Sequence, residues 1–124
     1  MAPADSNARA TLQLSRGVLL ATLPTHLTAA GLQRLRADVL QRAPDAAIRG
    51  VVLDASTVEI MDASDYQSLS ETLRMCMIMG RPSLMCGLTP GVVSSLVELD
   101  IDPDALVAVR DVEAALDFLR GGSA

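Results

Sequence analysis

Residues 51–67 read VVLDASTVEIMDASDYQ, and how this stretch is read decides the fold. Its opening, Val51, Val52, Leu53, is apolar at consecutive positions, as in a strand covered on both faces. Asp54 closes that strand. A short loop of Ala55, Ser56, Thr57, Val58 and Glu59 follows, then Ile60 and Met61, and Asp62-Ala63-Ser64-Asp65 opens a helix. Ser64 with Gln67 three residues later fits a capping box, in which the serine hydroxyl accepts from an orphan backbone N–H. A helix start also carries roughly half a positive charge and suits an anion. Ser64 therefore reads either as a plain helix cap or as a site for phosphate attachment.

Upstream, residues 11–14 and 18–23 read as two strands joined by the turn-forming Ser15-Arg16-Gly17, with Pro24 ending the second. From Thr28, a plausible N-cap, Leu32, Leu35, Val39 and Leu40 fall on one helical face, and Pro44 closes the segment. The strand that ends at Asp54 begins near Ile48. Downstream, a helix over 65–79 places Tyr66, Leu69, Leu73, Cys76 and Met77 on one stripe. Gly80 and Pro82 stop it. Residues 83–86 form a strand ending at Gly87. Thr89-Pro90 then opens a helix whose apolar face is Val92, Val93, Leu96 and Val97. A last strand covers 106–109. Asp111 caps a final helix carrying Val112, Ala115, Leu116 and Leu119, ended by Gly121-Gly122.

This order, β-β-α-β-α-β-α-β-α, predicts an α/β sandwich with four helices. Helical crossovers imply parallel neighbouring strands, so the sheet is mixed, mostly parallel and opened by an antiparallel hairpin. Residues 1–10 lack periodicity and are expected to be a mobile tail, leaving 11–120 as one domain.

Composition narrows the function. The chain has 124 residues, a net charge of -5 and no basic cluster, which argues against nucleic acid as a partner. No apolar run approaches the ~20 residues of a membrane span, and MAPADSNARA does not read as a signal peptide, so no membrane association and a cytoplasmic location are expected. All ten basic residues are arginine. That removes a Schiff-base lysine, a phosphate-loop lysine and the lysine of a phospho-aspartate receiver, so Asp54 is not read as a phospho-acceptor. The single histidine, His26, lies in a polar loop and reads as a surface residue rather than the base of a Ser-His-Asp relay. No catalytic residue and no cofactor are expected.

Met75, Cys76, Met77, Met79, Met85 and Cys86 gather soft sulfur, yet no Cys-x-x-Cys spacing exists. With one Tyr and one Phe in the chain, these residues read as core filler, and no metal site is expected. Asp100, Asp102 and Asp104 imitate the opening of a calcium loop, but Ala105 stands where glycine is needed and Asp111 where glutamate is needed. They read as a solvated acidic turn.

The sequence resembles STAS domains, the anti-sigma-factor antagonists, and among them the short stressosome type called RsbS. The resemblance runs from Thr11 to Leu119. It rests on GVVLDAS at 50–56, the Met61-Asp62 step with its following serine, and MIMGRPSLMCGLTPGVVSSLVELDI at 77–101. It implies a regulatory binding module rather than an enzyme. Such a module binds a serine/threonine switch kinase around the start of the second helix, which the resemblance places at Asp62, Ala63, Ser64, Asp65 and Gln67, and is released when the kinase phosphorylates a serine there. It also implies assembly with larger STAS paralogues into a stressosome. Ala63 stands where the RsbS type carries its serine; Ser64 matches the spacing of the sporulation-type antagonists, and Asp65 replaces the glycine common after it. Ser83 and Thr89 are secondary candidates for modification, with strand edge and helix cap as their plain readings. A structural subunit that docks on STAS paralogues without being modified is the alternative, favoured by Ala63 and Asp65.

Overall fold

The computed structural model describes residues 9–99 and 108–120. The strands are β1 (Thr11–Ser15), β2 (Val18–Thr22), β3 (Gly50–Asp54), β4 (Ser83–Cys86) and β5 (Ala108–Val109), and the helices are α1 (Ala29–Arg42), α2 (Ala63–Ile78), α3 (Pro90–Glu98) and α4 (Val112–Leu119). They form one five-stranded sheet in the order β1-β2-β3-β4-β5, antiparallel between β1 and β2 and parallel elsewhere. The predicted α/β architecture holds, hairpin and four helices included. Residues 1–8 of the expected tail, Leu106 and Val107 of the last strand, the Asp100, Asp102, Asp104 turn and Gly121-Gly122 lie outside the described residues.

Ser15 pairs with Val18, so Arg16 and Gly17 alone make the hairpin turn. Their φ values of 54° and 82° are both positive. That left-handed pair matches the right-handed twist of the flanking strands, which is why a glycine stands second.

Side chains of the inner strands alternate between two cores. Leu19, Ala21, Val51, Leu53 and Met85 join Leu32, Leu35, Val39, Leu69, Leu73, Cys76, Val92 and Leu96 from the first three helices. Val18, Val52, Leu84 and Cys86 instead meet Ala115 on α4, with Val112, Leu116 and Leu119 packed around them. Burial on both faces explains the unbroken apolar run of β3. Among the described residues, three helices cover one face and one covers the other.

Two arginines tie elements together. The Arg81 Nε donates to the Ala43 carbonyl at 2.8 Å and its Nη2 to the Pro44 carbonyl at 3.2 Å, serving the open C-terminus of α1. From α1, Arg36 donates Nε to Thr72 Oγ1 at 3.0 Å and Nη2 to the Ser68 carbonyl at 2.9 Å and Glu71 Oε1 at 3.1 Å, all on α2. Charge-assisted bonds of this kind, partly shielded from water, exceed a surface ion pair in strength. Arg36→Ala is expected to lower unfolding free energy by about 1–2 kcal/mol in a urea titration.

Three expected burial patterns differ from the structure. Met77 on α2 and Val93 and Val97 on α3 are exposed, so each helix buries a narrower stripe than its apolar content suggests. Met75 and Met79 are likewise at the surface, leaving only Met85, Cys76 and Cys86 of the sulfur group as core filler. Apolar character marks these residues as able to be buried; only the position of neighbouring elements decides which are.

Candidate functional site

All four described helices begin at the carboxyl ends of the parallel strands, and each is capped by a side chain there. Thr28 accepts from the Gly31 N–H, Asp62 from Asp65, Thr89 from Val92 and Asp111 from Ala114. Three of these caps match expectation. The fourth does not, because α2 starts at Ala63 with Asp62, not Ser64, as N-cap.

The α2 cap is a reciprocal box built from two carboxylates. Asp65 N–H donates to Asp62 Oδ1 at 2.7 Å, and Asp62 N–H donates to Asp65 Oδ2 at 3.1 Å. The residue before the cap, Met61, is buried, and so is Tyr66, four positions into the helix. Both lie in the same core, the arrangement of a hydrophobic staple that fixes where the chain turns into the helix. With Ser64 as cap, the equivalent pair would have been Ala63 and Ser68, neither able to anchor the turn.

Displacing Ser64 from the cap alters what its hydroxyl can do. It occupies the second helical position, exposed to solvent, with Ala63 and Gln67 also exposed and Asp65 partly covered. Five candidate contact residues, Asp62, Ala63, Ser64, Asp65 and Gln67, thus share one helix start. Burial raises the Asp65 pKa above 3.8; the Asp62 N–H pulls it down, and the neighbouring Asp62 carboxylate adds to the rise. Because the folded value is the higher one, Asp65 favours the folded chain most below pH 3.8 and loses that contribution as the pH rises. At neutral pH the helix start holds its second negative charge against a bias.

The loop leading to this helix is fixed from both sides. Thr57 Oγ1 donates to the Leu23 carbonyl at 2.9 Å, Glu59 N–H to the Thr25 carbonyl at 3.3 Å, and Ser56 N–H to Asp54 Oδ1 at 3.0 Å. Ile60, just before Met61, is 73% exposed, an apolar knob beside the acidic box. Along the same rim, Asp54, Ser56, Gly87, Arg110, Asp111, Val112 and Glu113 line an open depression of about 390 Å³. Among the described residues, no group of three or more His, Cys, Asp or Glu side chains is placed to hold a metal.

The remaining candidates lie elsewhere. Ser83 is buried at the start of β4, its hydroxyl donating to the Arg81 carbonyl at 2.7 Å. Thr89 is the α3 cap, half-buried, its Oγ1 accepting from the Val92 N–H at 3.4 Å. His26 is exposed in the loop between β2 and α1. Asp54 accepts from the Ser56 N–H at 3.0 Å. No described helix is long and apolar enough to cross a membrane.

No protein-family model matches the sequence, and no curated protein does. Solved structures match over nearly the whole chain. An RsbS protein of Moorella thermoacetica superposes with a TM-score of 0.77 at 20% identity, covering 94% of this chain and 98% of that one. An anti-sigma-factor antagonist (STAS) domain protein from Planctomyces limnophilus gives 0.73 at 18% identity, with coverages of 91% and 99%. SpoIIAA, an anti-sigma-factor antagonist solved in its unphosphorylated form, gives 0.66 at 16% identity, with coverages of 90% and 98%. Element order, sheet topology and these superpositions agree on one conclusion: the chain has the STAS fold.

Proposed function

We propose that this chain is a phospho-regulated STAS protein, an anti-sigma-factor antagonist of the RsbS-like type. It binds a serine/threonine switch kinase through the start of α2 and is released when that kinase phosphorylates Ser64. The observation that carries the reading is the exposure of Ser64 at a helix start whose own cap is satisfied by Asp62 and Asp65. A hydroxyl relieved of capping is available to an enzyme. A phosphoryl group there would add about −1.5 to −2 charge between two carboxylates. On a face covered by a partner, such charge can cost several kcal/mol, enough to separate the proteins without refolding either.

Incubation with an RsbT-like kinase and ATP, followed by peptide mapping, tests this. Phosphate is expected at Ser64 and absent in Ser64→Ala. Because Ser64 is exposed and away from the cap, Ser64→Asp is expected to weaken kinase binding by at least about tenfold while leaving the melting temperature nearly unchanged. Equal binding of both forms would place the contact elsewhere.

Asp65 supports a second reading, a scaffold subunit that assembles with larger, RsbR-like STAS paralogues in a stressosome without being switched. The box already fills the helix start with two negative charges, leaving less distinction for phosphate to make. Absence of phosphate at Ser64 together with retained binding to a STAS paralogue would favour it.

A further inference from the structure

We propose that copies of this chain join head to tail, the arginine-bearing turn between β1 and β2 of one seated in the acidic depression at the carboxyl rim of the next. The two surfaces lie at opposite ends of α4. Arg49 donates Nε to the Arg16 carbonyl at 3.0 Å and its backbone N–H to the Gly17 carbonyl at 2.8 Å, which joins both arginines to one hairpin tip. Leu119 crowds the adjoining Gly50, where a Cβ would stand 2.8 Å from Leu119 Cδ1, so the last residue of α4 reaches the same place. The other end of α4 borders the depression, about 390 Å³, where Asp54, Asp111 and Glu113 stand against Arg110.

Other arginines at the amino end serve the fold. Arg81 caps α1, and Arg120 pairs with Asp117. Arg16 and Arg49 are exposed, and among the described residues no carboxylate stands within ion-pair distance of either. Nor does the turn need an arginine, since a φ of 54° suits Asn or Asp better at that position. Asp45, the acidic residue of the neighbouring loop, turns Oδ1 to the Ala47 N–H. The tip thus offers two unpaired positive charges. In the depression, three carboxylates against one arginine leave two negative charges in excess. The surfaces match in sign and number, and a second copy brings one to the other. A two-fold contact through either end alone would set like charge on like. Opposite ends make a heterologous contact, which leaves a free tip and a free depression and so extends into a row.

Neither surface includes Ser64 or the α2 cap, so the contact is independent of the switching reading. Sedimentation velocity on the full chain, from about 10 μM to about 1 mM, tests it at about 10 mM and about 300 mM salt. At low salt the weight-average mass is expected to climb past a dimer with concentration, and at high salt the affinity to fall at least about tenfold. Arg16→Asn with Arg49→Gln keeps the turn and a side-chain donor at 49, and Asp111→Asn with Glu113→Gln keeps the α4 cap. Each double variant is expected to stay monomeric alone, with a melting temperature nearly unchanged. Mixed in equal amounts, the first supplies a depression and the second a tip, and a heterodimer forms that grows no further. Arg34→Gln, which removes an exposed arginine from α1, leaves association as it was. A monomer throughout at low salt overturns the proposal, as does growth that stops at a dimer, equal loss in Arg34→Gln, or no heterodimer on mixing. A monomer that floats with phosphatidylglycerol vesicles only while Arg16 and Arg49 are present overturns it too and makes an anionic lipid surface the occupant.

Discussion

Gly87→Ala is expected to destabilise the protein by about 2–3 kcal/mol, one of the largest effects available from adding a single methyl group here. Gly87 follows β4 with φ at +76°, a conformation that costs an L-residue about 1–2 kcal/mol. Space is short as well. A Cβ there would stand 2.9 Å from Asp54 Oδ1, 2.9 Å from Ser56 Cβ and 3.0 Å from Ser56 N. Those atoms belong to the turn in which Ser56 N–H donates to Asp54, so the methyl group cannot enter without straining that bond, worth roughly 1 kcal/mol. The Gly87 N–H also donates to the Arg110 carbonyl at 3.1 Å, which prevents the glycine from moving away. A urea titration should show a lower midpoint with an unchanged slope. Since the same turn leads toward α2, the kinase binding proposed above is expected to fall together with stability. An unchanged midpoint would mean that the Asp54 turn gives way freely.

The second large effect concerns the thiols. Cys76 and Cys86 are both free and buried. Burial pushes the Cys86 thiol from 9.0 up to about 12, and the Asp54 and Asp111 carboxylates add to the rise. Burial raises Cys76 as well, with the nearby Ser83 side chain opposing part of the rise. Only the thiolate attacks a disulfide reagent. At pH 8 a three-unit difference makes the Cys86 thiolate roughly a thousandfold scarcer than in the unfolded chain, before its inaccessibility is counted. Ellman's reagent is therefore expected to find no thiol in the native protein and both in urea. Linkage follows from the same shift. The folded value is the higher one, so the stabilising contribution of Cys86 is intact below pH 9.0 and is lost between 9.0 and about 12. The steepest loss is about 1.4 kcal/mol per pH unit. Cys86→Ala, carrying no such group, should flatten the alkaline arm of the stability profile. Rapid native labelling would show that the carboxyl ends of the strands open readily.

Much of the fold could be read from the chain because its signals were redundant. Thr28, Thr89 with Pro90, and Asp111 each stood before an amphipathic run, and Arg16-Gly17 joined two alternating segments. The start of α2 was less legible. Asp62 and Ser64 are both good N-caps, and each has a side chain three residues later able to reach back. Local sequence thus offered two registers of similar strength. What separates them is the burial of both Met61 and Tyr66 in one core, which favours the first. Methionine and valine exposure was not legible at all. Met75, Met77, Met79, Val93 and Val97 have the residue types of a core, and nothing within their own helices places them outside it.

Four helices that all begin at one rim have a consequence for the molecule as an electrical object. In an up-down bundle neighbouring axes oppose and their fields largely cancel. Here they run the same way, and each adds a partial positive charge to the carboxyl side of the sheet. The carboxylates collected there offset that field, so acid strong enough to neutralise them would reverse the sign of the rim. Adsorbed on a cationic support at neutral pH, the protein should land rim-down, burying Ser64 against the support and leaving Ile78 and Val97 free.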